Sequence, residues 1–237
     1  MTRRRWIADE VSGNHATLTG DHADHLIRVL RARVGQEFDI ATGAVVRKGR
    51  IVAILDHRVE FELGEETAAP STTQLRLLLA VFKFDRMEWA IEKCSELGVS
   101  QIVPVIARRT DAHLAAASGK RTERWQRIAR EAAEQSRRVA PPEILVPLKL
   151  KQAASLAGDL RIVLAETERE SHLRAILAAH LFPGNAALAI GPEGGWTEDE
   201  LQVFQKAGWI PASLGSTILR AETAAIAATA ITMAALG

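Results

Sequence analysis

The chain has 237 residues, enough for one large domain or two small ones around a sizeable core. Apolar residues make up 47% of it and the formal net charge is +1, which excludes a disordered polyion; any nucleic-acid binding needs basic side chains grouped on one face. The single cysteine, Cys94, excludes an intrachain disulfide and suits a reducing cytoplasm.

The start, "MTRRRWIADE", is basic but has no apolar run behind it, so it does not read as a signal peptide. Residues 1 to about 63 look β-rich: "EFDIATG", "GRIVAIL" and "HRVEFEL" alternate like half-buried strands. One short helix interrupts them, "DHADHLIRVLRARVG". Asp21 is its expected N-cap, Leu26, Val29 and Leu30 its apolar stripe, and Gly35 its end. His22 and His25 are accounted for by that helix, and no metal site is assigned. "GEETAAPSTTQ", residues 64–74, is polar, contains a proline and reads as a linker.

From residue 75 the pattern becomes strand, helix, strand, helix. "LRLLLAVF", "QIVPVIA", "RIVLAE" and "ALAI" are near-continuous apolar runs, as in parallel strands buried on both faces. "DRMEWAIEKCSELG" sets Met87, Ile91, Cys94 and Leu97 on one side and stops at Gly98. Cys94 therefore reads as core packing. "RTERWQRIAREAAEQSRRV" carries a stripe of Trp125, Ile128 and Ala132, with arginines on its other faces. Such alternation predicts an α/β domain with a parallel sheet, where ligands sit beyond the carboxyl ends of strands. The terminal "TAAIAATAITMAALG" is too short and too rich in Thr and Ala to span a bilayer; it predicts a buried or subunit-facing helix and no membrane partner.

"LAIGPEGGWTEDE", residues 188–200, runs from a buried strand through a glycine turn into a helix. Thr197 and Glu200 form a capping box. The glycines allow positive φ and close approach of a ligand to main-chain groups. Neither dinucleotide nor phosphate-loop spacing is present, and Glu193 disfavours an anion. A ligand with a cationic centre fits better, and S-adenosylmethionine is one. "SLGSTILRAETAAIAA", residues 213–228, supplies a second turn at Gly215 and Ser216, then Arg220 and Glu222 at the mouth of an apolar helix. The two charged residues are either a structural pair or working groups.

Together these two segments resemble the signature of the ribosomal RNA uridine N3-methyltransferase (RsmE) family of the SPOUT class. "HLIRVLR", "IEKCSELGV" and "EQSRRVAPPEI" are similar to family segments in the same order. Ser216, Thr217 and Ile218 depart from the Pro-x-Val of the family pattern. The resemblance implies a PUA-like RNA-binding β-barrel over residues 1–70. It also implies a SPOUT α/β domain with a trefoil knot over residues 75–237, homodimers, and methylation of uracil N3 in small-subunit (16S) ribosomal RNA. The implied S-adenosylmethionine pocket comprises Leu164, Ala165 and Glu166; Ile190, Gly191, Pro192, Glu193, Gly194 and Gly195; and Leu214, Gly215, Ser216, Ile218 and Leu219. Arg220 is then expected to donate to a uracil carbonyl and make N3 easier to deprotonate, with Glu222 orienting it or taking the proton. Grouped arginines are the expected RNA contacts: Arg3, Arg4 and Arg5; Arg28, Arg31 and Arg33; Arg137 and Arg138. Two other readings are a SPOUT enzyme acting on another RNA and a non-catalytic ribosome-assembly protein.

Overall fold

The computed structural model describes residues 5–43, 45–67, 74–156, 158–180 and 184–236. Arg3 and Arg4 lie outside the described residues. Contacts divide the chain into two compact units: Met1–Ser71 with Ala133–Pro141, and Thr72–Ala132 with Pro142–Gly237. The segment Ala133–Pro141, late in sequence, thus groups with the first unit.

In the first unit β1 (Trp6–Ile7), β2 (Glu10–Ser12), β3 (His15–Thr19), β4 (Glu37–Ala41), β5 (Val46–Leu55) and β6 (Arg58–Thr67) form one sheet, in the order β1-β4-β5-β6-β3-β2. Strand alternation sends Leu18, Ile40, Ile51, Val59 and Phe61 to a core shared with Trp6. Two sequence expectations are corrected here. Residues 64–67 are not linker: β6 continues through them, pairing Arg47 with Glu66 and Val46 with Thr67. The short helix is not a regular one capped by Asp21. It is α1 (Gly20–Asp24), preceded by Thr19 and followed by a π-helical turn over His25–Val29. The Leu30 N–H reaches back to the His25 carbonyl, one residue farther than in an α-helix. That widening changes the inward face: Ala23 and Leu26 are buried, whereas Val29 is 64% exposed and Leu30 49%.

In the second unit β7 (Gln74–Ala80), β8 (Gln101–Ile106), β9 (Glu143–Ile144), β10 (Leu148–Lys149), β11 (Leu160–Leu164), β12 (Asn185–Ile190) and β13 (Ile210–Ala212) form a sheet whose every ladder is parallel. The strand order is β10-β8-β7-β12-β11-β13, with β9 also on β8. The helices are α2 (Phe84–Glu96), α3 (Ala112–Ser118), α4 (Thr122–Gln135), α5 (Leu150–Ala154), α6 (Leu173–Ala179), α7 (Glu198–Lys206) and α8 (Ala221–Leu236). Alternate residues of β7 enter two cores. Leu75, Leu77 and Leu79 pack with α2 and α8, while Leu78 and Ala80 pack with Trp196, Phe204 and Trp209. Both faces are covered, which is why the strands read as continuous apolar runs. Gly98, at φ +107°, ends the α2 segment. Among the described residues no helix is long and apolar enough to cross a membrane.

Cys94 faces the α2–α8 core, where the Thr229 hydroxyl donates to its Sγ at 3.5 Å. Burial pushes its thiol up to about 12 from 9.0. The native protein is therefore expected to resist thiol reagents at pH 8 until it unfolds, read by timed labelling and mass spectrometry. The unfolded thiol ionises first, so this group's stabilisation is full below pH 9.0 and lost as pH rises towards about 12.

Candidate active site

Three neighbouring parallel strands, β12, β11 and β13, end at one edge of the sheet, and the chain leaving each lines a single cavity. The walls are Leu164, Ala165, Glu166, Glu168 and Arg169 after β11; Ile190, Gly191, Pro192, Glu193, Gly195 and Trp196 after β12; and Ser213 to Leu219 after β13. Ala221 and Ala224 of α8 close it. Of the fourteen pocket residues expected from sequence, Gly194 alone is absent from the walls. Glu168 and Arg169 are additions that carry no glycine signal, and only the fold brings them in; Trp196 and Ser213 lie within the two glycine segments without being singled out there.

The glycines do different jobs. Gly195 has φ +69° and Gly215 φ +133°, so both occupy backbone conformations that side chains disfavour. A Cβ on Gly195 would sit 3.6 Å from the Glu166 carboxylate, whereas one on Gly215 would meet nothing. Gly194 faces the other way, and its Cβ would lie 3.3 Å from the Arg109 side chain. Arg109 braces the turn from behind, its Nη1 donating to the Gly194 and Trp196 carbonyls. The capping box is formed as expected. The Thr197 N–H donates to Glu200 Oε2 at 2.8 Å, and the Glu200 N–H donates to Thr197 Oγ1 at 3.4 Å. The second oxygen of buried Glu200 accepts the Arg108 N–H at 2.7 Å. One carboxylate thus ties the head of α7 to the loop after β8. The loops after β11 and β13 are also tied: the Ser213 N–H donates to the Ser171 carbonyl at 2.8 Å, and the Leu173 N–H to the Ser213 carbonyl at 2.9 Å.

The cavity walls carry three acids, Glu166, Glu168 and Glu193, against one base, Arg169. Backbone N–H groups of Ser171 and Glu170 hold the Glu168 carboxyl below the usual carboxylate range. Trp196 joins the wall, and its indole N–H is buried with no hydrogen-bond acceptor among the described residues.

Arg220 follows the last wall residue and is exposed. Glu222, in the first turn of α8, is 4% exposed. The structural pair between them does not form. The cation beside Glu222 is Arg86 of α2, with Nε 3.8 Å from Glu222 Oε1 and Nη1 3.1 Å from Glu193 Oε1. Sequence reasoning missed Arg86 and Arg109, which lie about a hundred residues from the segments they serve. Among the expected RNA contacts, Arg28, Arg31, Arg33 and Arg137 are exposed. Arg5 is turned inward: its guanidinium donates to the Arg137 carbonyl and its Nε is buried. Burial also lowers Arg138 to about 10.

A family model described as an RNA methyltransferase domain matches residues 69–233, more than half of the chain. The chain belongs to this RNA methyltransferase family. It is 35% identical over 214 residues to the ribosomal RNA small subunit methyltransferase E of Synechocystis sp., covering 88% of this chain and 69% of that one. It is 29% identical over 218 residues to the protein of the same name from Bacillus subtilis, covering 88% and 85%. The crystal structure of a ribosomal RNA small subunit methyltransferase E from Neisseria gonorrhoeae, bound to S-adenosyl methionine, aligns with TM-score 0.85 at 29% identity over 98% of this chain and 97% of that one. A putative methyltransferase from Legionella pneumophila, in complex with the same cofactor, aligns with TM-score 0.83 at 28% identity over 98% and 97%. The methyltransferase fold is thus the SPOUT-type parallel-sheet domain expected from sequence, preceded by a PUA-like β unit.

In this family member the double tie through Glu200 makes a stability prediction. Glu200→Ala leaves two backbone donors without acceptors and is expected to cost about 2–4 kcal/mol, against about 1 kcal/mol for Thr197→Ala. Urea unfolding of the two variants beside wild type measures the difference.

Proposed function

We propose that the protein is an S-adenosylmethionine-dependent methyltransferase that methylates N3 of a uracil in small-subunit (16S) ribosomal RNA, acting as a cytoplasmic homodimer. The observation that carries this reading is the acid-walled cavity at the ends of β11, β12 and β13. Its wall charge suits a cationic ligand. Relatives of the same fold hold S-adenosylmethionine, and close relatives are named as small-subunit ribosomal RNA methyltransferases.

When bound, S-adenosylmethionine would supply an electrophilic methyl group on a positive sulfur, which N3 of the uracil would accept as it gives up its proton. The pocket residues Leu164 to Glu166, Ile190 to Glu193, Gly195 and Leu214 to Leu219 would hold the ligand chiefly through main-chain groups. Exposed Arg220 reaches the uracil, where its paired N–H donors stabilise the negative charge that builds on a ring carbonyl as N3 loses its proton. Glu222 takes part from beneath as a fixed negative charge. Exposed Arg28, Arg31, Arg33 and Arg137 of the PUA-like unit contribute phosphate contacts, with Arg5 and Arg138 shaping the surface that presents them.

Two outcomes follow. Wild-type protein is expected to bind S-adenosylmethionine saturably in calorimetry with a chelator present. Arg220→Ala is expected to keep that affinity within about threefold while losing methylation by about a hundredfold or more, and Arg220→Lys to recover little. Full activity in Arg220→Ala would remove it from the site.

The homodimer rests on α8. Ala225, Ala228, Thr229 and Thr232 are buried within the chain, while Thr223, Ile231, Ala234 and Ala235 are exposed on its outer side. An exposed stripe of Ile231 with short Thr and Ala side chains is suited to a second copy of the same helix. Ile231→Arg is expected to yield monomers in light scattering while wild type runs as a dimer; a monomeric wild type would sink the proposal.

A further inference from the structure

Glu222 raises a charge problem that the catalytic reading leaves open. Its carboxylate is buried at the head of an apolar helix, and its Oε2 is shielded from solvent with no hydrogen-bond partner among the described residues. The helix N-terminus favours a negative charge there, but only by a fraction of what burial costs. Arg220, two residues away, does not serve it: among the described residues no ion pair involves Arg220. Arg86 does. It projects from the first turn of α2, a helix that packs on α8, and its guanidinium spans two carboxylates from different motifs. One is Glu193, in the wall of the cavity; the other is Glu222, behind it.

We propose that Arg86 is a positioning residue of the methyl-transfer site: it compensates the buried Glu222 carboxylate, ties it to the glycine turn through Glu193, and leaves Arg220 free for RNA. The assignment of this cavity to methyl transfer rests on the function proposed above; the charge linkage itself does not. Arg86, Glu193 and Glu222 together carry one net negative charge. The cavity beside it is acidic as well, with Glu166 and Glu168 against Arg169. The long Arg86 contact of 3.8 Å to Glu222 acts through charge alone, whereas its 3.1 Å hydrogen bond to Glu193 uses a guanidinium arm.

The test uses the full-length protein with Arg86→Gln, Arg86→Lys, Glu222→Gln and the double variant Arg86→Gln/Glu222→Gln. In urea unfolding of the ligand-free protein, Arg86→Gln is expected to lower the midpoint, and adding Glu222→Gln to restore much of the loss, because the uncompensated buried charge is gone. In single-turnover methylation Arg86→Gln is expected to be slower by about tenfold or more, with S-adenosylmethionine affinity in calorimetry changed by less than about threefold. Arg86→Lys, which keeps the charge but only one arm, is expected to recover part of the rate, whereas Arg220→Lys recovers little. Additive stability losses, or a lysine as poor as glutamine at position 86, would overturn the proposal. If Arg86→Gln alone does not fold, recovery of folding in the double variant supports the linkage and failure to recover overturns it. Wild-type protein that binds no S-adenosylmethionine would instead overturn the cofactor assignment, leaving the urea comparison to judge Arg86.

Discussion

The site depends on how the chain leaves the buried strand β12. A parallel strand enclosed on both faces must release its backbone into the open at one edge, turn, and start a helix within a few residues. Pro192 to Trp196 achieve this with Gly195 in the left-handed region, a conformation that costs a residue with a side chain about 1 kcal/mol or more. The turn would be loose if nothing held its far side. Arg109 takes its outward carbonyls and Glu200 fixes the first turn of α7, so one face of the loop is bonded to protein and the other lines the cavity. Preorganisation of this kind lets main-chain groups recognise a ligand without first being ordered.

Charge does the remaining selection. A phosphate-binding loop would offer N–H groups and a lysine; this cavity offers Glu166, Glu168 and Glu193. The acids sit on exposed or half-exposed loops and need little compensation, except where Glu193 meets Arg86. Glu222 is the opposite case, since it is buried and beside a cation. On the function proposed here the two conditions divide the labour: exposed acids attract a cationic ligand, a compensated buried acid keeps a fixed charge behind the reacting groups, and exposed Arg220 remains for the nucleic acid.

Much of this arrangement is legible in the sequence. Apolar runs located β7, β8, β11 and β12, since strands buried on both faces have no polar positions to blur them. The Thr197–Glu200 box and the glycine clusters located the turns, because both are local devices with fixed spacing. Strands of two or three residues, such as β1, β9 and β13, left no period to read. The π-helical turn at His25–Val29 was hidden because its side chains suit an ordinary helix; tertiary packing of Ala23 and Leu26 decides it. Arg86 and Arg109 were hidden for a different reason. Each acts on a segment about a hundred residues away, and only sheet order brings α2 and the end of β8 beside the loop after β12.

Hydrogen–deuterium exchange of the intact protein with and without S-adenosylmethionine tests most directly whether three strand ends make one preorganised ligand site. The expected result is slowed exchange confined to the amides of residues 165–169, 191–197 and 213–221, with little change in β1–β6. Protection limited to one of the three loops, or appearing mainly in the first unit, would contradict the account.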